Sequence, residues 1–236
     1  MAWQRELRIC VIFASFGPYH LARARGLSAQ PGIEASFVEV TPQTTEHPWN
    51  RQSTEGEDIG LITLGRSLAL REQPQTIRDL WRTLAQLDPD VVAGCGYNLP
   101  VMVAAGAWAR IHRRGSVLMT ESTAVDKRRR RWKEAAKRTL VRRGWHTSLV
   151  GGTASREYML SLGFDDESLF EPYDVVDNAH FARAARQART AATDWRRRLG
   201  LADGPRFLFV GRLAPEKNVT RLLGAYARYR REASRP

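Results

Sequence analysis

The sequence predicts an α/β protein built on a doubly wound parallel sheet. Three observations carry that prediction. Short apolar runs recur along the chain and read as buried strands. Each is followed by a turn and then by apolar residues spaced three and four apart, the helical period. Strands that alternate with helices pair in parallel, because the helix supplies the crossover a parallel neighbour needs.

The elements follow in order. Arg8–Ala14 (RICVIFA) reads as the first strand. Ser15–Tyr19 is a turn containing Gly17 and Pro18, and His20–Leu27 continues as a helix with Leu21, Ala24 and Leu27 on one stripe. Ala35–Val40 is a second strand. The polar stretch Thr41–Asp58 carries Pro42 and Pro48 and reads as a loop. Ile59–Leu64 is a short strand. Pro74–Leu87 is an amphipathic helix with Ile77, Leu80, Trp81, Leu84 and Leu87 inward. Val91–Cys95 is the next strand, followed by Gly96-Tyr97-Asn98 and a helix over Pro100–Arg113, with proline at its first position. Ser116–Thr120 is a strand ending in Glu121-Ser122-Thr123. Thr147–Val150 is another, then a helix from Thr153 to Leu162 stopped by Gly163. Ser168–Glu171 is a last short strand. About seven strands before residue ~180 suffice for one complete sheet. A basic helical connector over Arg183–Leu199 follows.

Phe207–Arg221 (FLFVGRLAPEKNVTR) restarts the pattern. Phe207–Val210 reads as a strand ended by Gly211, and Asn218 reads as the N-cap of a helix carrying Val219, Leu222, Leu223 and Tyr226. Arg212 and Lys217 lie on the short loop between. Two cations and the positive end of a helix past a strand's carboxyl end predict an anion site.

Composition narrows the function classes. The net charge is +12, from 37 Lys and Arg against 25 Asp and Glu. That balance attracts polyanions. Much of the excess lies in Lys127–Arg143, where Trp132, Ala136 and Leu140 form a narrow apolar stripe. Such a basic amphipathic helix suits an anionic membrane surface, with Arg128, Arg129, Arg130, Arg131, Trp132 and Lys133 as the candidate contacts. It also suits phosphates of nucleic acid, or a plain solvated face. No zinc-finger spacing, RNP aromatic signature or helix-turn-helix cue supports nucleic acid. The two cysteines, Cys10 and Cys95, sit in apolar runs and read as buried thiols of a reducing cytosol. There is no GxGxxG, no GxxxxGK[ST], no GxSxG and no metal spacing among the five histidines. No cofactor and no obligatory metal are expected.

Other candidate residues each carry two readings. Tyr97 and Asn98 can contact a ligand at this edge, or Asn98 can simply cap the helix. Glu121 at a strand's carboxyl end can accept a hydrogen bond from a ligand hydroxyl or act as a base, or it can be a loop or cap residue.

Two motifs carry a family resemblance. GRLAPEKN, followed by Leu222-Leu223 and Ala225-Tyr226, resembles the donor-site opening of the second domain in family 4 retaining glycosyltransferases. LVGGTASREYMLSLGF and YDVVDNAHF, over Leu149–Phe164 and Tyr173–Phe181, resemble the end of that family's first domain and the crossing into the second. The resemblance implies the GT-B fold of two Rossmann-like domains and transfer of a sugar from a nucleotide-diphosphate donor with retention. It implies that Arg212 and Lys217 hold the donor diphosphate, that Gly17 packs beside the phosphates, and that the ligand met by Tyr97, Asn98 and Glu121 is the sugar or acceptor. The acceptor it implies is unknown, lipid-linked or polysaccharide, and the setting cytoplasmic, peripheral at the inner membrane face. The Thr120–Thr123 stretch departs from the commoner histidine-bearing form of its loop.

On this reading residues 1–180 form the acceptor-side domain, 181–204 a connector, and 205–236 only the opening of the nucleotide-sugar domain. A truncated, weakly binding or inactive fragment is therefore expected. Sugar-nucleotide epimerases share the GT-B fold and remain an alternative, as does a basic nucleic-acid-binding protein using Lys127–Arg143.

Overall fold

The computed structural model describes residues 5–42, 59–126, 130–200, 204 and 206–232. Most of the expected Thr41–Asp58 loop, and Arg128 and Arg129, lie outside them. The chain forms two compact units, Met1–Asn178 and Ala179–Pro236.

The first unit holds a seven-stranded sheet. Its strands are β1 (Leu7–Phe13), β2 (Ile33–Glu39), β3 (Leu61–Thr63), β4 (Val91–Cys95), β5 (Gly115–Thr120), β6 (Thr147–Val150) and β7 (Leu169–Phe170). Each lies where an apolar run predicts it. The order is β3-β2-β1-β4-β5-β6-β7 and every pair is parallel. The sequence of strands reverses direction between β1 and β4, so the topological switch point lies there. Because all strands run the same way, the loops after β1, β4, β5 and β6 share one edge of the sheet.

Successive side chains of a strand point to opposite faces, and the core divides accordingly. One face carries Cys10, Ile12, Val38, Val92, Leu118 and Val150. It is covered by α2 (Gln73–Leu87), α3 (Pro100–Ile111), α4 (Arg131–Gly144) and α5 (Thr153–Ser161). The other face carries Val11, Phe13, Phe37, Ala93 and Met119. It is covered by α1 (Pro18–Ser28) and Tyr173. A groove of about 590 Å³ opens on this second face between α1 and the segment Pro172–Asn178. On the first face, Trp145 seats against Gly94 and Gly106. A Cβ on Gly94 would meet the indole ring at 2.5 Å, and one on Gly106 would meet the Gly144 carbonyl at 2.7 Å.

Helix α4 presents an unexpected side to the protein. Glu134, Lys137 and Val141 turn inward, while Trp132, Ala136 and Leu140 are exposed. The Tyr158 hydroxyl donates to Glu134 at 2.7 Å and Lys137 Nζ donates to it at 2.9 Å. The Tyr158 contacts to α5 and the buried Val141, not the apolar stripe, fasten the helix.

The second unit departs further from expectation. The connector is two helices, α6 (Asn178–Thr190) and α7 (Ala192–Arg198), broken at Ala191. Asn178 therefore starts a helix. Phe207–Val210 forms no strand. A strand needs a neighbour to take its backbone hydrogen bonds, and the described residues of this unit supply none. Phe207, Leu208 and Val210 are largely exposed. The last helix does form, as α8 (Val219–Glu232).

Candidate functional site

The carboxyl edge at the β1/β4 switch point is where an open α/β sheet receives a ligand. Its first wall is the β1–α1 loop. Glu39 at the end of β2 is fully buried and holds that loop in place. Its carboxylate accepts the Phe16 N–H at 3.0 Å and the Thr63 hydroxyl at 2.7 Å. Gly17 occupies the N-cap of α1. The Gly17 N–H donates to Nδ1 of His20 at 2.9 Å, so this His20 nitrogen is unprotonated and the proton sits on Nε2. The His20 ring stacks on Phe13 at 4.0 Å. Gly17 thus offers close backbone approach rather than an unengaged amide. Beside it, Ser15 Oγ is buried and has no hydrogen-bond partner among the described residues.

The second wall is the β4–α3 loop. Tyr97 is only 6% exposed and packs into the core on the α3 face. Its position makes it a packing residue, which weighs against the sugar contact expected of it. Asn98 is exposed at the rim. It is not the cap of α3, because the N-cap position belongs to Leu99. The orphan N–H of Val101 is taken instead by Oε1 of Gln73, a buried residue of α2, at 3.0 Å.

Glu121 follows β5 on the same edge. Its backbone is fixed from two sides: Ser155 Oγ of α5 donates to the Glu121 carbonyl at 2.9 Å, and the Gly151 N–H donates to Thr120 O at 3.1 Å. Gly151 lies against the Glu121 side chain, where a Cβ would make ordinary contact at 3.4 Å from Glu121 Cγ. Glu121 is an exposed residue at the rim. Partial loss of hydration raises its pKa above the usual carboxylate value, and the Asp174 charge adds to the rise while Arg23 opposes it.

Arg23 ties this corner together. It pairs with Asp174, donates through Nε to Val175 O at 3.0 Å, and lies 4.8 Å over the Tyr173 ring. The Tyr173 hydroxyl in turn meets Cys95 Sγ at 3.3 Å. Burial pushes the Cys95 thiol and the Tyr173 phenol up, so both are neutral at physiological pH. Arg23, Glu39 and His20 carry no sequence motif, and the YDVVDNAHF motif gives no sign that Tyr173 and Asp174 meet Cys95 and Arg23. Only the all-parallel topology assembles them on one edge.

In the second unit, Arg212 and Lys217 share one turn. Lys217 closes a 3-10 turn over Pro215–Lys217, its N–H donating to Ala214 O at 2.9 Å. Arg212 Nη2 donates to Glu216 at 3.2 Å. Asn218 sits at φ 48°, and its carbonyl accepts the first helical hydrogen bonds, from Arg221 at 3.1 Å and Leu222 at 3.2 Å. Among the described residues, no three His, Cys, Asp or Glu side chains are grouped to hold a metal. No helix among them is long and apolar enough to cross a membrane.

No family model and no curated protein matches this sequence. Solved structures do match the fold. A UDP-GlcNAc 2-epimerase from Neisseria meningitidis bound to UDP-GlcNAc aligns with a TM-score of 0.57 at 13% identity, over 84% of this chain and 54% of that one. The lipopolysaccharide outer core galactosyltransferase WaaB, in its apo form, aligns at 0.50 and 12% identity, over 72% and 46%. The fold is of the GT-B type. A third match, S. aureus MnaA with UDP, aligns at 0.52 and 19% identity, over 69% and 44%. The chain spans about half the length of these GT-B structures. Two of the three hold UDP or a UDP-sugar, and the set contains both epimerase and transferase.

Proposed function

We propose that this chain belongs to a nucleotide-sugar-dependent glycosyltransferase of GT-B fold and supplies the acceptor-side half of its site. The observation that carries the reading is the GT-B-type parallel sheet with Glu121, an exposed carboxylate, at the carboxyl edge of β5, one strand from the switch point.

In the proposed reaction the bond between the anomeric carbon and the diphosphate oxygen breaks. An acceptor hydroxyl forms the new bond on the same face, and its proton leaves to a base or to the departing phosphate. Arg212 and Lys217 offset the charge that develops on the diphosphate, a role preorganised cations perform without a metal. Gly17, with no side chain, lets phosphate approach the β1–α1 loop closely. Glu121 binds a sugar hydroxyl or carries the proton. The residues that motivate the diphosphate role are the GRLAPEKN resemblance and the turn that keeps both cations on one loop. The acceptor is proposed to be lipid-linked or polysaccharide, handled at the cytoplasmic side of a membrane.

Epimerisation of a nucleotide sugar is the second reading, favoured by the epimerases among the matched structures. It places the same Glu121 in proton transfer at a sugar carbon and needs no acceptor. Incubation with radiolabelled UDP-sugars, with and without a membrane fraction as acceptor, separates the two. Transfer predicts label in the acceptor and release of nucleoside diphosphate. Conversion of the donor sugar without acceptor would replace transfer by epimerisation. Donor left intact under both conditions contradicts both.

A further inference from the structure

We propose that the second unit, Ala179–Pro236, binds single-stranded nucleic acid through α6 and α7. The proposal is independent of the reaction assigned to the sheet edge and uses none of its residues.

The positive charge of the chain belongs almost wholly to its second unit. Ala179–Pro236 contains 14 Lys and Arg against 4 Asp and Glu, a net of +10 in 58 residues. Met1–Asn178 contains 23 against 21, a net of +2. The basic run Lys127–Arg143 is thus offset by acids elsewhere in its own unit, and the cations of the second unit are not. Of those 14 cations, 13 are arginines. A guanidinium grips phosphate through two parallel N–H donors and stacks on flat rings, which an ammonium does not. So large an asymmetry between two parts of one chain points to a polyanionic partner.

Helix α6 orders the cations. Arg183, Arg186 and Arg189 are exposed, three apart, and so lie along one side of the helix. No acid occurs between Asn178 and Thr190. Each step is about 4.5 Å of helix axis, and successive phosphates of a stacked strand are about 3.4 Å apart. Helix α7 ends in Arg196, Arg197 and Arg198. Trp195 stands beside them, 51% exposed. The Arg198 guanidinium lies 5.6 Å from the centre of the Trp195 ring. An exposed indole among arginines can stack a base while the cations neutralise its phosphates. Recognition of this kind tolerates any base sequence, so it needs none of the motifs of sequence-specific binders. A duplex keeps its bases stacked inside and offers Trp195 no ring face, which favours a single strand. The side of α6 away from its arginines carries Phe181 but otherwise alanines, too little apolar volume to seat the helix in an acyl layer.

Fluorescence anisotropy of the whole chain with labelled oligouridylate, and with duplex DNA of equal length, tests the proposal. The single strand should bind more tightly than the duplex, and log K should fall linearly with log salt. Arg183→Gln, Arg186→Gln and Arg189→Gln together should reduce the steepness of that line by about two, since each phosphate contact on a single strand contributes roughly 0.7. Arg183→Lys, Arg186→Lys and Arg189→Lys together should keep the steepness, which separates lost charge from a damaged helix. Trp195→Ala should weaken the single strand about fivefold or more and leave the salt dependence as it was. The same loss of charge in the first unit, through Arg131→Gln, Arg142→Gln and Arg143→Gln, should change binding little. Absence of single-strand binding at low salt overturns the proposal. So does a salt dependence unchanged by the three α6 glutamine substitutions, equal weakening by the two glutamine triples, single-strand binding indifferent to Trp195→Ala, or duplex bound as tightly as the single strand.

Discussion

The two edges of the first unit's sheet are built on opposite electrostatic plans. At the amino edge, Asp88 and Asp90 are saturated by arginines. Arg8 donates to Asp88 at 2.8 Å, Arg5 to Asp90 at 2.7 Å, and Arg114 pairs with both. Asp90 also accepts the Arg8 backbone N–H at 3.0 Å. Hydrogen bonds from Arg8, and the surrounding guanidinium charges, hold both carboxyls below the usual range. At the carboxyl edge, Glu121 is raised. The first edge stabilises its carboxylates in the folded state. At the second, an exposed carboxyl is raised, a cost to stability at neutral pH. On the proposed reading, the direction of the strands separates fastening from chemistry.

The sharpest way to break that comparison is to substitute at each edge and ask which property moves. Glu121→Gln should lower turnover by ~10²- to 10⁴-fold, the usual contribution of a positioned acid or base, and leave the unfolding temperature nearly unchanged. Turnover that survives this change would remove Glu121 from the chemistry. Arg212→Ala and Lys217→Ala, assayed in the same way, should each reduce turnover by ~10²-fold or more if they hold the leaving diphosphate. Unchanged rates in both would leave the GRLAPEKN turn a plain helix entry.

Asp90→Asn should do the reverse. It should lower the unfolding temperature by several degrees with turnover retained, because the Arg8 N–H and three guanidinium groups lose their ionised partner. The smallest effect is the pH dependence. For Asp88 and Asp90 the folded pKa is lowered, so their stabilisation is present above the unfolded value and lost as pH falls through the folded one, in the range below ~4. For Glu121 the folded pKa is raised, so ionising it at neutral pH costs stability. Glu121→Gln should therefore be neutral to slightly stabilising at pH 7, with the gain fading as pH falls through the raised folded pKa and gone below the unfolded value of ~4.3. Calorimetry across pH should show the two variants diverging in opposite directions.

Much of the fold was legible because each strand is a local apolar run. Val91–Cys95 and Thr147–Val150 were placed to the residue, since Asp88-Pro89-Asp90 and Gly151-Gly152 punctuate them. Phe207–Val210 has the same local signal and forms no strand, because pairing is a property of a neighbour and not of the segment. The stripe Trp132–Ala136–Leu140 has helical spacing, but spacing alone does not say which side faces the protein; the ion-paired Glu134 and Lys137 decided that. At the candidate site Glu121 stood out as a carboxylate at a strand's end. Its partners did not, because Arg23 and Asp174 are separated by 151 positions and meet only through the topology. Glu39 was hidden for a similar reason: a carboxylate inside an apolar strand gives no hint that it fastens the neighbouring loop.

Saturation-transfer NMR on UDP-GlcNAc with the whole chain and its variants tests the central claim most directly. The account predicts that the sugar-ring protons receive saturation, that Glu121→Ala weakens it, and that Asp90→Asn leaves it intact. Absence of any sugar-ring saturation, or equal loss in the two variants, would contradict a sugar site at the carboxyl edge.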